Sequence, residues 1–375
     1  MSRVSSKEQE VLALFQSAEA VRLGTAYAAG WGQVQRKSYS VYHGKHSVLN
    51  GARPVSQRSI FDLASLTKII ATTSLVMVLV ESGRLDLDAP LREILPEECK
   101  ENSALSPITF RHLLSHTSGL PAWRPFFEDL KTSPALGRKA LLYKNLLNIK
   151  PDANPGEILV YSDLGFLIIG YVLEKWAFPK PLNEWVMEKV WAGLYPGAQP
   201  NGLHYRRVPS DYRAAIGADA DDSVVATEVC PWRGWLQGQV HDDNTWSIGG
   251  IAPHAGVFGT LNDVVGWMEA LLQGKIVSHQ TLNLFFKEVV FTGGPNQGLG
   301  VRRTLGFDMP AADGLGSTGT VFSKNSVGHL GFTGTSLWID LDTGHYACLL
   351  TNRVHPSRSD LRIKYLRRNF HALLR

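Results

Sequence analysis

The stretch Phe61-Asp62-Leu63-Ala64-Ser65-Leu66-Thr67-Lys68-Ile69-Ile70 decides how the rest of the chain is read. Ser65 is followed three residues on by Lys68, and no other serine in the chain has a lysine at that spacing. In a helix starting here the two side chains share one face, one turn apart. A hydroxyl is a poor nucleophile at neutral pH and needs a base to take its proton. An apolar setting and the positive end of a helix both push a lysine toward its neutral form, which can serve as that base. Residues 69–80 are apolar on nearly every face and run into Glu81-Ser82-Gly83, a helix-stop signal. A helix apolar all round is buried, so Ser65 is expected at the mouth of a core helix. So short a motif also arises by chance, and this stretch alone leaves both readings open.

Working outward, 375 residues suggest one large or two joined domains. The hydrophobic and charged fractions, 44% and 19%, describe a soluble globular protein, and the net charge of +4 gives no footprint for nucleic acid. Cys99, Cys230 and Cys348 are odd in number and far apart, so they make neither a disulfide framework nor a metal cluster. Cys348 lies in an apolar run and is expected in the core. The N-terminal stretch lacks the apolar region of a signal peptide, and no apolar run is judged long enough to span a bilayer. The expectation is a cytoplasmic protein with no metal, no cofactor and a small-molecule or peptide-like substrate.

In chain order, an amphipathic helix is expected over 7–23, then strands near 24–29, 37–43 and 59–63. Thr109 caps a short helix that stops at Gly119-Leu120-Pro121. His112, Ser115 and His116 invite a metal or triad reading. No carboxylate at matching spacing accompanies them, so they read as polar groups bracing a helix end. Residues 125–150 look helical. Tyr161-Ser162-Asp163 sits where a loop meets a second apolar helix, with Ser162 or Asp163 placed to cap it. Residues 182–191 read as helix. Residues 195–250 read as long loops beside a functional site, with Trp232, Trp235 and Trp246 shaping it. A helix follows from Asn262 or Asp263 to Gln273. Residues 327–352 read as a hairpin of two buried strands around Asp342-Thr343-Gly344. The basic residues of 358–375 read as the solvated face of a closing helix. Gly314-Leu315-Gly316-Ser317-Thr318-Gly319 follows no strand and opens no helix, so a dinucleotide site is rejected.

Three separated stretches then combine. Ser65-Leu66-Thr67-Lys68, Tyr161-Ser162-Asp163 and His329-Leu330-Gly331 resemble, in order and placement, the signatures of the serine β-lactamase and penicillin-binding-protein superfamily. The likeness is to the class C β-lactamase-like branch, which includes esterases and D-amino peptidases, and it covers about residues 20–370. It implies an α+β fold in which residues 1–60 and 285–375 build an antiparallel sheet flanked by the terminal helices. Residues 61–284 would supply a mostly helical domain, with the active site in the cleft between.

The resemblance also implies roles. Ser65 attacks a carbonyl and is acylated. Lys68 takes the serine proton or sets the electrostatics. Tyr161 is the other candidate base. The backbone N–H groups of Ser65 and Phe332 form an oxyanion hole, and Gly331 lets substrate approach its strand. Two departures from the pattern matter. Asp163 stands where an asparagine is usual, and its charge would hold Lys68 protonated and favour Tyr161 as base. His329 stands where a lysine would attract a substrate carboxylate, which a neutral imidazole does poorly. The implied activity is ester or amide hydrolysis by an esterase or D-amino peptidase. The alternatives are a β-lactamase or D-Ala-D-Ala carboxypeptidase, and a penicillin-binding-like protein that holds a ligand without turnover.

Overall fold

A computed structural model describes residues 5–177, 179–194, 202–209, 221–289 and 301–374. Its largest layer is a seven-stranded antiparallel sheet. The strands run in the order Tyr39–Gly44, Ala26–Gln33, His345–Thr351, Ser336–Asp340, Ser326–Leu330, Asp308–Met309, Arg302–Arg303. All seven come from residues 26–44 and 302–351, so both ends of the chain build this sheet. Tyr27 pairs with Thr351 and Leu337 with Cys348, a register that puts Cys348 in the core.

One face of the sheet is covered by Ser6–Ala20 and Ile363–Ala372, through Phe15, Tyr27, Trp31 and Phe370. The first helix starts at a reciprocal cap between Ser5 and Glu8, and it ends three residues before the expected boundary, ahead of Arg22 in the left-handed region. The other face carries Leu261–Leu272 and merges into one large core that runs from Ala26 and Ile339 to Leu66, Ile70 and Phe166.

At the heart of that core, residues 64–81 change helical form. Ala64–Leu66 is a 3₁₀ turn, Lys68–Thr73 is π-helical, and Ser74–Glu81 is α-helical. Side chains explain the widened turn. The Ser74 hydroxyl donates to Ile69 O at 2.8 Å, and the Trp191 indole donates to Ile70 O at 3.1 Å. Contrary to the sequence reading, Ala64–Glu81 is long and apolar enough to cross a bilayer by length and composition. It is nonetheless a core element, with 78% of its residues buried in the fold.

Other expectations are redrawn. The helix expected over 125–150 is broken into Phe126–Leu130 and Arg138–Leu147, because Pro134 and a left-handed Gly137 fall between them. The strand near 59–63 is short, Phe61–Asp62, and belongs to a separate sheet with Val257–Gly259 and His204–Tyr205. Within the expected loop region 195–250, residues 195–201 and 210–220 lie outside the described residues. The rest includes His204–Tyr205, the hairpin Glu228–Cys230/Gly234–Leu236 and the helix Asp243–Ser247.

Candidate active site

Ser65 lies in the 3₁₀ turn and Lys68 opens the π-helical segment that follows it, and the two side chains meet across that junction. Lys68 Nζ lies 3.1 Å from Ser65 Oγ and donates also to His254 O at 3.2 Å. The residue before the serine, Ala64, has φ +47°, a region that costs a side-chain-bearing residue about 1–2 kcal/mol. The buried Asp62 carboxylate holds it there, accepting from Ala64 N–H at 2.8 Å and His241 N–H at 2.7 Å. Ser65 is therefore presented on a strained corner between a strand and a buried helix.

The second stretch arrives on the helix Asp163–Ala177. Ser162 is its cap, its hydroxyl accepting from Gly165 N–H at 3.2 Å while donating to Pro121 O at 2.6 Å. Gly170 lets this helix close on the loop before His254. A Cβ there would stand 2.5 Å from Pro253 Cγ. Asp163, freed from capping, turns to Lys68, with Oδ1 2.7 Å from Nζ. Tyr161 packs its ring 4.9 Å from the same ammonium, and its hydroxyl interacts with Lys68 and Ser65.

Electrostatics follow from this packing. Burial alone would push Lys68 toward neutrality, but the Asp163 charge, together with the neighbouring Tyr161, overcomes it and holds its pKa above the usual lysine value. Burial raises the Tyr161 phenol, with Lys68 pulling it back down and Asp163 pushing it up. At neutral pH Lys68 is therefore an ammonium and the Tyr161 hydroxyl keeps its proton. The asparagine-to-aspartate departure thus acts on both candidate bases.

The third stretch divides. His329 is buried behind the Tyr161 ring, 5.9 Å between centroids, and donates through Nδ1 to Leu330 O at 2.8 Å. Burial drops its pKa to about 4, so it is neutral at physiological pH. The strand ends at Leu330, which leaves Gly331 and Phe332 in the turn before Ser336. The space beside Gly331 is already filled: a Cβ would meet Thr335 Oγ1 at 2.0 Å and Leu63 O at 2.8 Å. Its missing side chain serves the packing of this turn on the Ser65 corner. Phe332 is half exposed, and its N–H meets no backbone acceptor among the described residues.

Sequence reasoning missed what fixes that turn. Thr333 and Thr335 donate to Asp62 O and Leu63 O at 2.8 and 3.2 Å, tying it to the segment before Ser65. Arg367, expected on a solvated face, is buried instead. It donates to Gly331 O and Thr335 O, both at 2.7 Å. Arg353 donates to Phe332 O at 2.8 Å and stacks on its ring.

Ser65, Tyr161, Asp163 and Phe332 line one cavity of about 320 Å³, with Trp123 and Arg358 at its wall. His329 and Gly331 do not reach it. Arg358 is already committed, donating from Nη2 to Glu228 Oε2 at 2.5 Å and from Nε to Oε1 at 2.8 Å. In a larger cavity of about 710 Å³ near Trp31, Tyr39 and Phe322, the lining Ser5 hydroxyl donates to Glu8 in the cap of the first helix. Chemistry, not size, selects the site.

The Beta-lactamase family profile matches residues 23–372, nearly the whole chain. The chain belongs to the Beta-lactamase family. It is 28% identical over 344 residues to the N-acetylmuramyl-L-alanine amidase of Bacillus subtilis (strain 168), covering 86% of this chain and 75% of that protein. Its fold is shared by EstCE1, a hydrolase with promiscuous acyltransferase activity, with TM-score 0.73, 20% identity and 98% of both chains covered. It is shared also by the D-amino acid amidase of Ochrobactrum anthropi SV3, with TM-score 0.70, 18% identity, and 99% and 98% covered.

Proposed function

We propose that the protein is a serine hydrolase that cleaves an ester or amide bond through an acyl-enzyme on Ser65. One observation carries the reading: Lys68 Nζ sits 3.1 Å from Ser65 Oγ and 4.9 Å from the centroid of the Tyr161 ring. The substrate carbonyl enters beside Ser65 with its oxygen toward the Ser65 and Phe332 N–H groups. The Oγ–C bond forms as the serine proton passes to the Lys68–Tyr161 pair. The backbone donors stabilise the oxyanion. The same pair returns the proton to the leaving oxygen or nitrogen as its bond to carbon breaks. Water then repeats the sequence on the acyl-enzyme. Asp163 stabilises the protonated lysine, so hydrolysis speeds up as pH rises above neutrality.

The preferred substrates lack a carboxylate at the reacting end. His329 is neutral and buried, and the cation at the cavity wall, Arg358, is already paired with Glu228. This disfavours the β-lactamase and D-Ala-D-Ala carboxypeptidase alternatives. A panel of p-nitrophenyl esters and D-amino acid p-nitroanilides, run on wild type and Ser65→Ala, tests the reading. Wild-type turnover no faster than the mutant's leaves only ligand binding without catalysis. Rapid turnover of a chromogenic cephalosporin would overturn the argument from His329 and Arg358.

A further inference from the structure

We propose that His116 is a positioning residue for Tyr161, gripping the backbone on both sides of it and covering its ring. The inference rests on the proton-transfer role given to Tyr161 above. His116 follows the helix Phe110–Leu114, is buried, and has φ +60°. Its carbonyl accepts from Val160 N–H at 3.0 Å, and its Nδ1 accepts from Ser162 N–H at 3.0 Å. The two residues held are the immediate neighbours of Tyr161. Its ring centroid lies 4.6 Å from that of Tyr161 and 5.5 Å from that of Phe166.

A residue that only closed the helix would not need this chemistry. Glycine or asparagine takes a left-handed φ with less strain. The imidazole adds what they lack together, an acceptor for the chain after Tyr161 and a flat surface against its ring. Because Nδ1 accepts, the neutral ring carries its proton on Nε2. That buried N–H finds no partner among the described residues. Burial, reinforced by Arg303, Lys68 and His329, holds the imidazole well below its usual pKa, so Nδ1 stays an acceptor. Left-handed backbone and an unpaired buried donor are both unfavourable, and they coincide at the residue that touches Tyr161.

The test is a double-mutant cycle on ester hydrolysis. His116→Gly keeps the backbone conformation and removes the side chain. It lowers kcat about tenfold to a hundredfold, the usual cost of displacing a reacting group by about 1 Å, and leaves KM within about twofold. In a Tyr161→Phe background the same substitution changes kcat by less than about twofold, because the hydroxyl it positions is gone. His116→Asn, whose amide oxygen can replace Nδ1, restores kcat to within about threefold of wild type. Equal losses in both backgrounds, or no loss in His116→Gly, overturn the proposal while leaving Tyr161 its role. A Tyr161→Phe enzyme with wild-type kcat refutes the role of Tyr161 itself, and this proposal with it. If His116→Gly does not fold, His116→Asn decides alone. A loss above about tenfold at an unchanged Tm overturns the acceptor role.

Discussion

Replacing Asp163 by asparagine restores the amide usual in this family and removes one charge without changing shape. Its effect can be worked from the geometry. At 2.7 Å and an effective dielectric of about 20, the attraction between Lys68 and Asp163 is roughly 6 kcal/mol in gross terms. Desolvation of the fully buried ammonium takes back several kcal/mol of this. Opposite charges at such range usually change a neighbour's proton affinity by about tenfold to a thousandfold. Asp163 raises the pKa of Lys68 and also that of Tyr161, so its removal lowers both. Whichever group takes the serine proton, it then reaches its basic form at lower pH. In Asp163→Asn the rising limb of kcat/KM against pH therefore moves to lower pH. The rate at pH 7 increases by about tenfold or more. Stopped assays with a p-nitrophenyl ester from pH 5 to 10 read this directly. An unmoved limb refutes the electrostatic account. A loss at every pH would show that Asp163 itself carries the proton.

Other consequences are measurable. Glu228 is buried, and although burial raises its pKa, His241 and Arg358 bring it down to about 2. A carboxyl lowered by folding adds stability above its unfolded pKa and loses it on acidification. Wild-type Tm should therefore fall between about pH 5 and 2, and Glu228→Gln should flatten that part of the curve. Arg367→Met removes charged hydrogen bonds to the Gly331 and Thr335 carbonyls, each of which keeps one backbone N–H partner, at about 1–3 kcal/mol in all, and loosens the Phe332 turn. Both Tm and kcat should drop, and an unchanged kcat would separate this turn from catalysis.

The proximity of Ser65 and Lys68 was legible in the sequence because they are three residues apart. Tyr161, at a loop-to-helix junction that Ser162 caps, was set beside them only by the family resemblance. The strands near 24–29 and 37–43 and the closing hairpin were legible from apolar runs punctuated by turn residues, and their joining into one sheet followed from the resemblance. What supports the site was not legible, since it depends on distant packing. Arg367 looked like part of a solvated face until the fold placed its guanidinium against Gly331 and Thr335. Asp62 carried no motif, although it stands three residues before Ser65 and anchors Ala64. The change from 3₁₀ to π to α depends on Trp191, 121 residues from the Ile70 carbonyl it occupies. His329 and Gly331 were readable as a signature, but not as a buried neutral ring and a packing contact.

The central claim is that Ser65 forms the covalent bond. Incubation with a slowly hydrolysed ester, acid quench, intact-mass measurement and peptide mapping test it most directly. One acyl group on the peptide containing Ser65, absent in Ser65→Ala and cleared on further incubation, is the predicted result. An adduct on any other residue, or steady hydrolysis by Ser65→Ala at the wild-type rate, would contradict it.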